Sequence, residues 1–439
     1  MAFTVKDILS IQVAPALGCT EPAAVALCAA AAASLLPEKA SIEALEVQVD
    51  PNIFKNGLAV LIPGTDGLSG LDMAAALGAI GGNPAKSLEV LGETGPEDVK
   101  QARALIKDGK VRLNLLADHK GLFIRVIVMA GESRAEAVVE SMHDNITQLA
   151  LDGEQVENSS LIAPKESSKN ARAGELEHWL KGLSLQQLMD LLDDLDAEDL
   201  AFLEEGLDAN MKLADYGLKH GPGLGVGKTL DRLVRQRLIA RDMILDARIL
   251  TSAAADARMA GVNLPAMSSA GSGNHGLTAI LPIKAVHKYL ESDHESMLRA
   301  IGLSHIVTAF VKSFTGRLSA VCGCSVAAGA GAAAGVTYLM GGNANHIADA
   351  IKNLMEDLAG IICDGAKSGC AFKLSTAAGT AVQAALFALQ GVKVMETDGI
   401  IGASLEKTTQ NLGALSTEGM IETDRTILKI MLEKQFSPG

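Results

Sequence analysis

The chain has 439 residues, 48% of them hydrophobic but only 3% aromatic, with 44 glycines and a formal net charge of −14. Its length exceeds one ordinary core and predicts two domains. The acidic balance argues against nucleic acid or an anionic membrane surface as a partner, and the composition is that of a close-packed globular enzyme, not a disordered or fibrous chain.

The first residues, MAFTVKDILS, show no basic stretch followed by an apolar core, so no secretory signal is read and the expected location is cytoplasmic. Reduced thiols are expected there for the six cysteines.

In chain order, a helical region over Val5–Leu36 is broken by Pro15 and Pro22. Ile42–Val49 alternates apolar and polar residues as a strand does, and Leu58–Ile62, Lys110–Leu116 and Leu122–Met129 read the same way. Ala135–Met142 and Ile146–Leu151 flank a hairpin turn at His143–Asn145. Leu71–Leu77 and Glu97–Lys107 read as helices between these strands. Glu154–Glu175 is polar and reads as a linker.

Beyond it, apolar residues recur at three- and four-residue spacing over Leu183–Leu195, Ala197–Leu218, Lys228–Ala260, Leu277–Leu290, Glu295–Val311, Asn343–Ile362 and Asp424–Lys434. Leu318–Asn345 carries no charge and is long enough to span a bilayer, but its Ala/Gly/Ser content predicts a central buried helix instead. The expected class is therefore α+β. An N-terminal helical segment (residues 1–39) precedes a small α/β domain with a mixed or antiparallel sheet (40–160), followed by a large all-α catalytic domain (161–439).

Two local patterns are set aside. GPGLGVGKT (221–229) approaches a phosphate loop but has Pro222 where the pattern needs glycine and follows a helix, so it reads as a Gly-rich helix start. The acidic run Asp193–Glu205 reads as a solvated helix face.

Four of the six cysteines, Cys322, Cys324, Cys363 and Cys370, fall in two small-residue stretches. A thiolate in such an interior needs neutralising, which a zinc or iron–sulfur centre would do. The alternative is core packing, for which free cysteine is well suited. The Cys363–Cys370 spacing matches no familiar zinc or ferredoxin run, and spacing alone leaves the two readings level.

PALGCTEP (residues 15–22), PNIFKNG (51–57), the GCS at 323–325 and ICDGAKSGCAFKLSTAAG (362–379) together resemble the L-cysteine desulfidase family, itself related to the α-chain domain of bacterial iron–sulfur L-serine dehydratases. The resemblance implies an oxygen-sensitive 4Fe–4S cluster held by Cys324, Cys363 and Cys370, with one iron open to substrate and Cys322 as an alternative ligand. It implies Cys19 as the catalytic base, whose thiolate would need a helix N-terminus or a cation to lower its pKa. The implied reaction removes sulfide from L-cysteine to give pyruvate and ammonia.

The substrate carboxylate needs donors, and Lys55, Asn56, Ser272, Asn274 and His275 are the candidates, with Lys373 and Ser375 behind them. Lys55 could instead be an exposed strand-end lysine and Asn274 a helix cap. Cys28 reads as core. The partner expected is a small amino acid, with no nucleic acid or membrane, and the Ala/Gly-rich helices would suit a homo-oligomer. A PLP or metal-free lyase, a deaminase acting on L-serine, and a non-enzymatic metal-binding module are the competing classes.

Overall fold

A computed structural model describes residues 3–37, 41–65, 67–162, 169–316 and 320–436, and the architecture is α+β. Helix α1 (Val5–Gln12) starts at Thr4, which forms a capping box with Asp7. Strand β1 (Pro15–Leu17) and helix α2 (Thr20–Ala33) follow. Pro15 thus opens a strand, whereas Pro22 sits in the first turn of α2, where its missing N–H breaks nothing.

The alternating segments form a six-stranded mixed sheet. Strands β2 (Ala44–Val49), β3 (Val111–Leu115), β4 (Phe123–Ala130), β5 (Ser133–Glu140), β6 (Ile146–Leu151) and β7 (Glu154–Gln155) lie in the order β3-β2-β4-β5-β6-β7. Only the β2–β3 pair is parallel. Leu45, Val47 and Val49 of β2 and Ile124, Val126 and Val128 of β4 face one side, in a core where α2 packs over β4 and β5. Helix α3 (Pro51–Gly57) follows directly on β2, an inner strand, and α4 (Leu71–Gly81) packs on α2 and against β2. A Cβ on Gly78 would stand 2.2 Å from the Ala26 carbonyl oxygen, so the two helices meet backbone to backbone. Cys28 lies in this core, its Sγ 3.3 Å from the Ala137 carbonyl oxygen.

The strand expected at Leu58–Ile62 does not form. The Asp50 carboxylate accepts from the Asn52 and Ile53 amides, Pro51 takes the first position, and the chain turns helical as α3. Beyond α3 only Leu61 makes an isolated bridge, to Ser69.

Helix α5 (Pro96–Lys107) completes the α/β region. The linker read over Glu154–Glu175 holds β7 and the start of α6 (Lys169–Lys181), while residues 163–168 lie outside those described. Next come α7 (Leu185–Asp190), α8 (Ala197–His220), α9 (Val226–Arg235) and α10 (Met243–Met259). The single helix expected over Lys228–Ala260 is therefore two. It is interrupted where Arg237 turns left-handed (φ 60°) and Asp242 caps α10. The acidic run is solvated as expected except for buried Asp199, and it also starts a helix: Asp196 caps α8 and Asp199 closes its capping box, where the helix dipole favours negative charge. In the Gly-rich loop, left-handed Gly225 caps α9 and the Gly227 amide donates to the Asp256 carboxylate at 3.0 Å, so the loop's anion is internal.

The remaining regular elements are helices except for strand β8 (Pro265–Met267). The helices comprise α11 (Gly273–His287), α12 (His294–Thr315), α13 (Gly323–Leu339), α14 (Ala344–Leu358), α15 (Cys370–Leu389), α16 (Leu405–Ala414) and α17 (Ile421–Phe436). The charge-free α13 is buried along nearly its whole length among α11, α12, α14 and α15. Two described helices, α12 and α15, are long and apolar enough to cross a membrane; the apolar windows are 89% and 61% buried in the fold.

The first 37 residues are shared between two cores. Val5, Ile8 and Leu9 of α1 belong to the large helical core, and α2 to the sheet's core. Between them β1 pairs antiparallel with β8, Pro15 opposite Met267. From the other end of the chain, Leu428 and Leu432 of α17 pack against the sheet's core.

Candidate active site

Two cysteine segments are clamped side by side. The Cys322 amide donates to the Ile361 carbonyl at 2.8 Å and the Cys363 amide to that of Ala320 at 2.6 Å, around a bridge between Val321 and Ile362. Cys322 caps α13, Cys324 lies in its first turn, and Cys370 opens α15. Gly365 makes the turn between Cys363 and Cys370. Its φ is 90°, and a Cβ there would stand 2.3 Å from the Lys55 carbonyl oxygen, so the turn rests on the end of α3.

All four thiols line one cavity of about 130 Å³, together with Cys19, Asn56, Ser272, Asn274 and His275. That volume is below the roughly 300 Å³ of drug-sized sites and suits a small substrate. The thiols feel one another. A hydrogen bond with Cys324 draws the Cys322 thiol down against burial, and the same contact, with burial, lifts Cys324. Burial lifts Cys363 and pushes Cys370 up to about 12.

Among the described residues, no group of three or more His, Cys, Asp or Glu side chains is set to hold a metal ion. A single ion draws its ligands to one point, whereas a cluster is held from around its perimeter by thiolates. Four thiols bordering one small buried cavity fit the second arrangement.

Cys19 caps the N-terminus of α2 and is 4% exposed. Burial pushes its thiol up to about 11, the Arg258 guanidinium pulls it down, and Glu21 raises it. Both aids expected of a thiolate base, a helix N-terminus and a cation, are present, and burial outweighs them. Arg258, in the last turn of α10, is itself buried. Its Nη2 donates to the Gly18 carbonyl at 2.5 Å and its Nη1 to Asn274 Oδ1 at 2.9 Å. Its Nε has no partner.

His275 Nδ1 lies 3.1 Å from the Ser269 carbonyl oxygen. A carbonyl only accepts, so Nδ1 carries the hydrogen and Nε2 is the free face. That nitrogen looks at Gly323, where a Cβ would be 2.5 Å away. Burial, then Lys312, pulls the imidazole down to about 3, so it is neutral.

Lys55 is placed differently from the other candidates. It does not line the cavity; it is 2% exposed on α3, and its ammonium pairs with Asp424 of α17. From there it favours the Cys363 thiolate electrostatically. Lys373 lines the cavity but donates to the Ile362 carbonyl at 2.7 Å and pairs with Asp364. Ser375 is buried and does not line it. Asn274 is no cap: Ser272 holds that position, and Asn274 Oδ1 receives Arg258.

Sequence reasoning missed Arg258 and Lys312, both lining the cavity. The signal was present as charged residues set in runs of small or apolar ones, ADARMAG for Arg258 and TAFVKSF for Lys312.

The chain is 94% identical over 438 residues to a UPF0597 protein of Desulfatibacillum aliphaticivorans, covering 100% of both chains. It is 58% identical over 434 residues to one of Desulfotalea psychrophila, covering 99% of each. It is 44% identical over 425 residues to one of Clostridioides difficile, covering 97% of this chain and 98% of the other. The family model for the serine dehydratase alpha chain matches residues 86–429, a stretch that includes Arg258, His275 and the four clustered cysteines. The chain belongs to the serine dehydratase alpha-chain family, which relates it to dehydratase-type lyases.

Proposed function

We propose that the protein is an iron–sulfur-dependent lyase that converts L-cysteine and water to pyruvate, ammonia and hydrogen sulfide. The observation that carries this reading is the convergence of Cys19 and the four clustered cysteines on one small buried cavity. Cys324, Cys363 and Cys370 would hold a 4Fe–4S cluster, with Cys322 as the alternative first ligand. When bound, such a cluster supplies a Lewis acid for the departing sulfur.

The chain's own residues do the rest. In its thiolate form, which the Arg258 guanidinium beside it favours, Cys19 Sγ takes the proton from the substrate Cα and becomes the thiol. Ser272 and Asn274, at the start of α11, orient the substrate backbone. Burial keeps water away from Cα while the proton moves. Aminoacrylate released from the cavity tautomerises and hydrolyses to pyruvate and ammonia. L-serine is the second reading, favoured by the family to which the chain belongs.

The test is metal content and turnover on protein purified without oxygen. About four irons and four acid-labile sulfides per chain, with pyruvate and sulfide formed from L-cysteine, are expected. Pyruvate from L-serine alone would move the assignment to the dehydratase. Stoichiometric zinc without labile sulfide would overturn it.

A further inference from the structure

Arg258 poses a problem that the proposed reaction leaves open. It is 4% exposed, yet its two hydrogen bonds go to neutral acceptors, the Gly18 carbonyl and Asn274 Oδ1. Among the described residues it has no carboxylate partner, and its Nε has no partner at all. Neighbouring cations are answered differently, buried Lys55 by Asp424 and half-buried Lys373 by Asp364. A buried charge without a counter-ion is costly, so the fold is built to receive one from outside.

The position of the guanidinium shows where. A Cβ on Gly273 would lie 2.5 Å from Arg258 Nε and 2.9 Å from Nη2, so the first residue of α11 packs directly against the guanidinium, which borders the cavity beside that helix's N-terminus. That 15-residue helix starts at Ser272 with no side-chain cap, so its first-turn amides and its dipole add to the same spot. Only glycine at 273 allows this approach. Arg258, Ser272, Asn274 and Cys19 all border the cavity.

We infer that Arg258 and the open N-terminus of α11 form the receptor for the α-carboxylate of the substrate. The assignment rests on the lyase reading for the word substrate, but the receptor itself is defined by charge. It places the carboxylate next to Cys19, which sets Cα beside the sulfur that, as thiolate, takes its proton. It also restricts the ligand class to small α-amino acids with a free carboxylate, and excludes amines such as cysteamine and amino acids in peptide linkage.

The experiment uses L-alanine, which has no β-leaving group and is bound without being consumed, against L-alaninamide, in which the carboxylate is a neutral amide. Calorimetric titration of the anaerobic, cluster-loaded protein should show L-alanine binding roughly 10- to 100-fold tighter, the worth of a charge-assisted hydrogen bond. Arg258→Lys keeps the charge and loses the fork. It should weaken L-alanine binding by about tenfold and raise KM for L-cysteine more than it lowers kcat.

Equal binding of the two ligands by the wild-type protein would overturn the receptor without any variant having to fold. So would wild-type affinity in Arg258→Lys. A protein that prefers L-alanine to L-alaninamide but forms no pyruvate from L-cysteine or L-serine would sink the lyase and leave the receptor standing. Pyruvate formation with no carboxylate preference would do the reverse.

Discussion

Lys55 and Arg258 carry the same charge at nearly the same burial, 2% and 4% exposed. Around Lys55 the fold supplies a carboxylate, Asp424, carried in by α17. Around Arg258 it supplies only a backbone carbonyl and an amide oxygen. The first arrangement completes itself and holds structure together. The second is incomplete until an anion arrives. Position in the sequence motifs did not separate the two, because Lys55 lies in PNIFKNG and Arg258 lies in none. What separates them is whether the interior neutralises the charge.

Removing the acid from the closed pair should have the largest effect. Asp424→Ala leaves the Lys55 ammonium buried without its partner and should cost about 3–5 kcal/mol in urea unfolding. The double change Lys55→Met with Asp424→Leu should recover most of that. An Asp424→Ala protein as stable as wild type would erase the contrast. Arg258→Gln should cost less, about 1–3 kcal/mol for two lost hydrogen bonds, while abolishing L-alanine binding. If its stability loss matched that of Asp424→Ala, Arg258 would be as structural as Lys55.

His305 sharpens the comparison from a third side, as a buried group that meets its environment by staying neutral. It is 1% exposed, its Nδ1 lies 2.9 Å from Ser269 Oγ, and burial pulls it down to about 4. The unfolded chain takes up a proton near pH 6.5 that the folded one refuses. Its contribution is therefore complete above that pH and is lost as pH falls towards 4. His305→Gln should reduce the drop in unfolding free energy between pH 8 and pH 5 by about 2 kcal/mol. Asp256, raised to about 6 by burial, works in the opposite direction, so the difference between variant and wild type is the quantity to read.

The sheet was legible because β2 alternates cleanly along its length and β4 over its first half, before Val126, Ile127 and Val128 are buried in succession. Helix α3 was not. Its start signal, Asp50 followed by Pro51, was present, but burial of Lys55 and Asn56 removed the polar face that marks a short helix, and Leu58, Val60 and Ile62 imitate a strand. The interruption between α9 and α10 was hidden because Leu238 and Ile239 continue the apolar spacing while standing exposed. Cys322, Cys324, Cys363 and Cys370 drew attention because small-residue stretches rarely carry so many thiols. Arg258 did not, because in a helical pattern one charged residue among alanines reads as the solvent side; its burial follows from the β1–β8 pairing, which no local pattern announces.

The return of α17 to α3 sets an order of events during synthesis. Lys55 and Asp424 are 369 residues apart, and Leu428 and Leu432 complete the sheet's core. At about 5–20 residues per second, the ribosome leaves Lys55 waiting roughly 20–75 s for its counter-ion. Through that interval the early core lacks its last two leucines, and Cys19 waits almost as long for Cys370. The cavity's walls are therefore complete only once Cys370 has been made, and the sheet's core only once the tail has closed over the beginning of the chain.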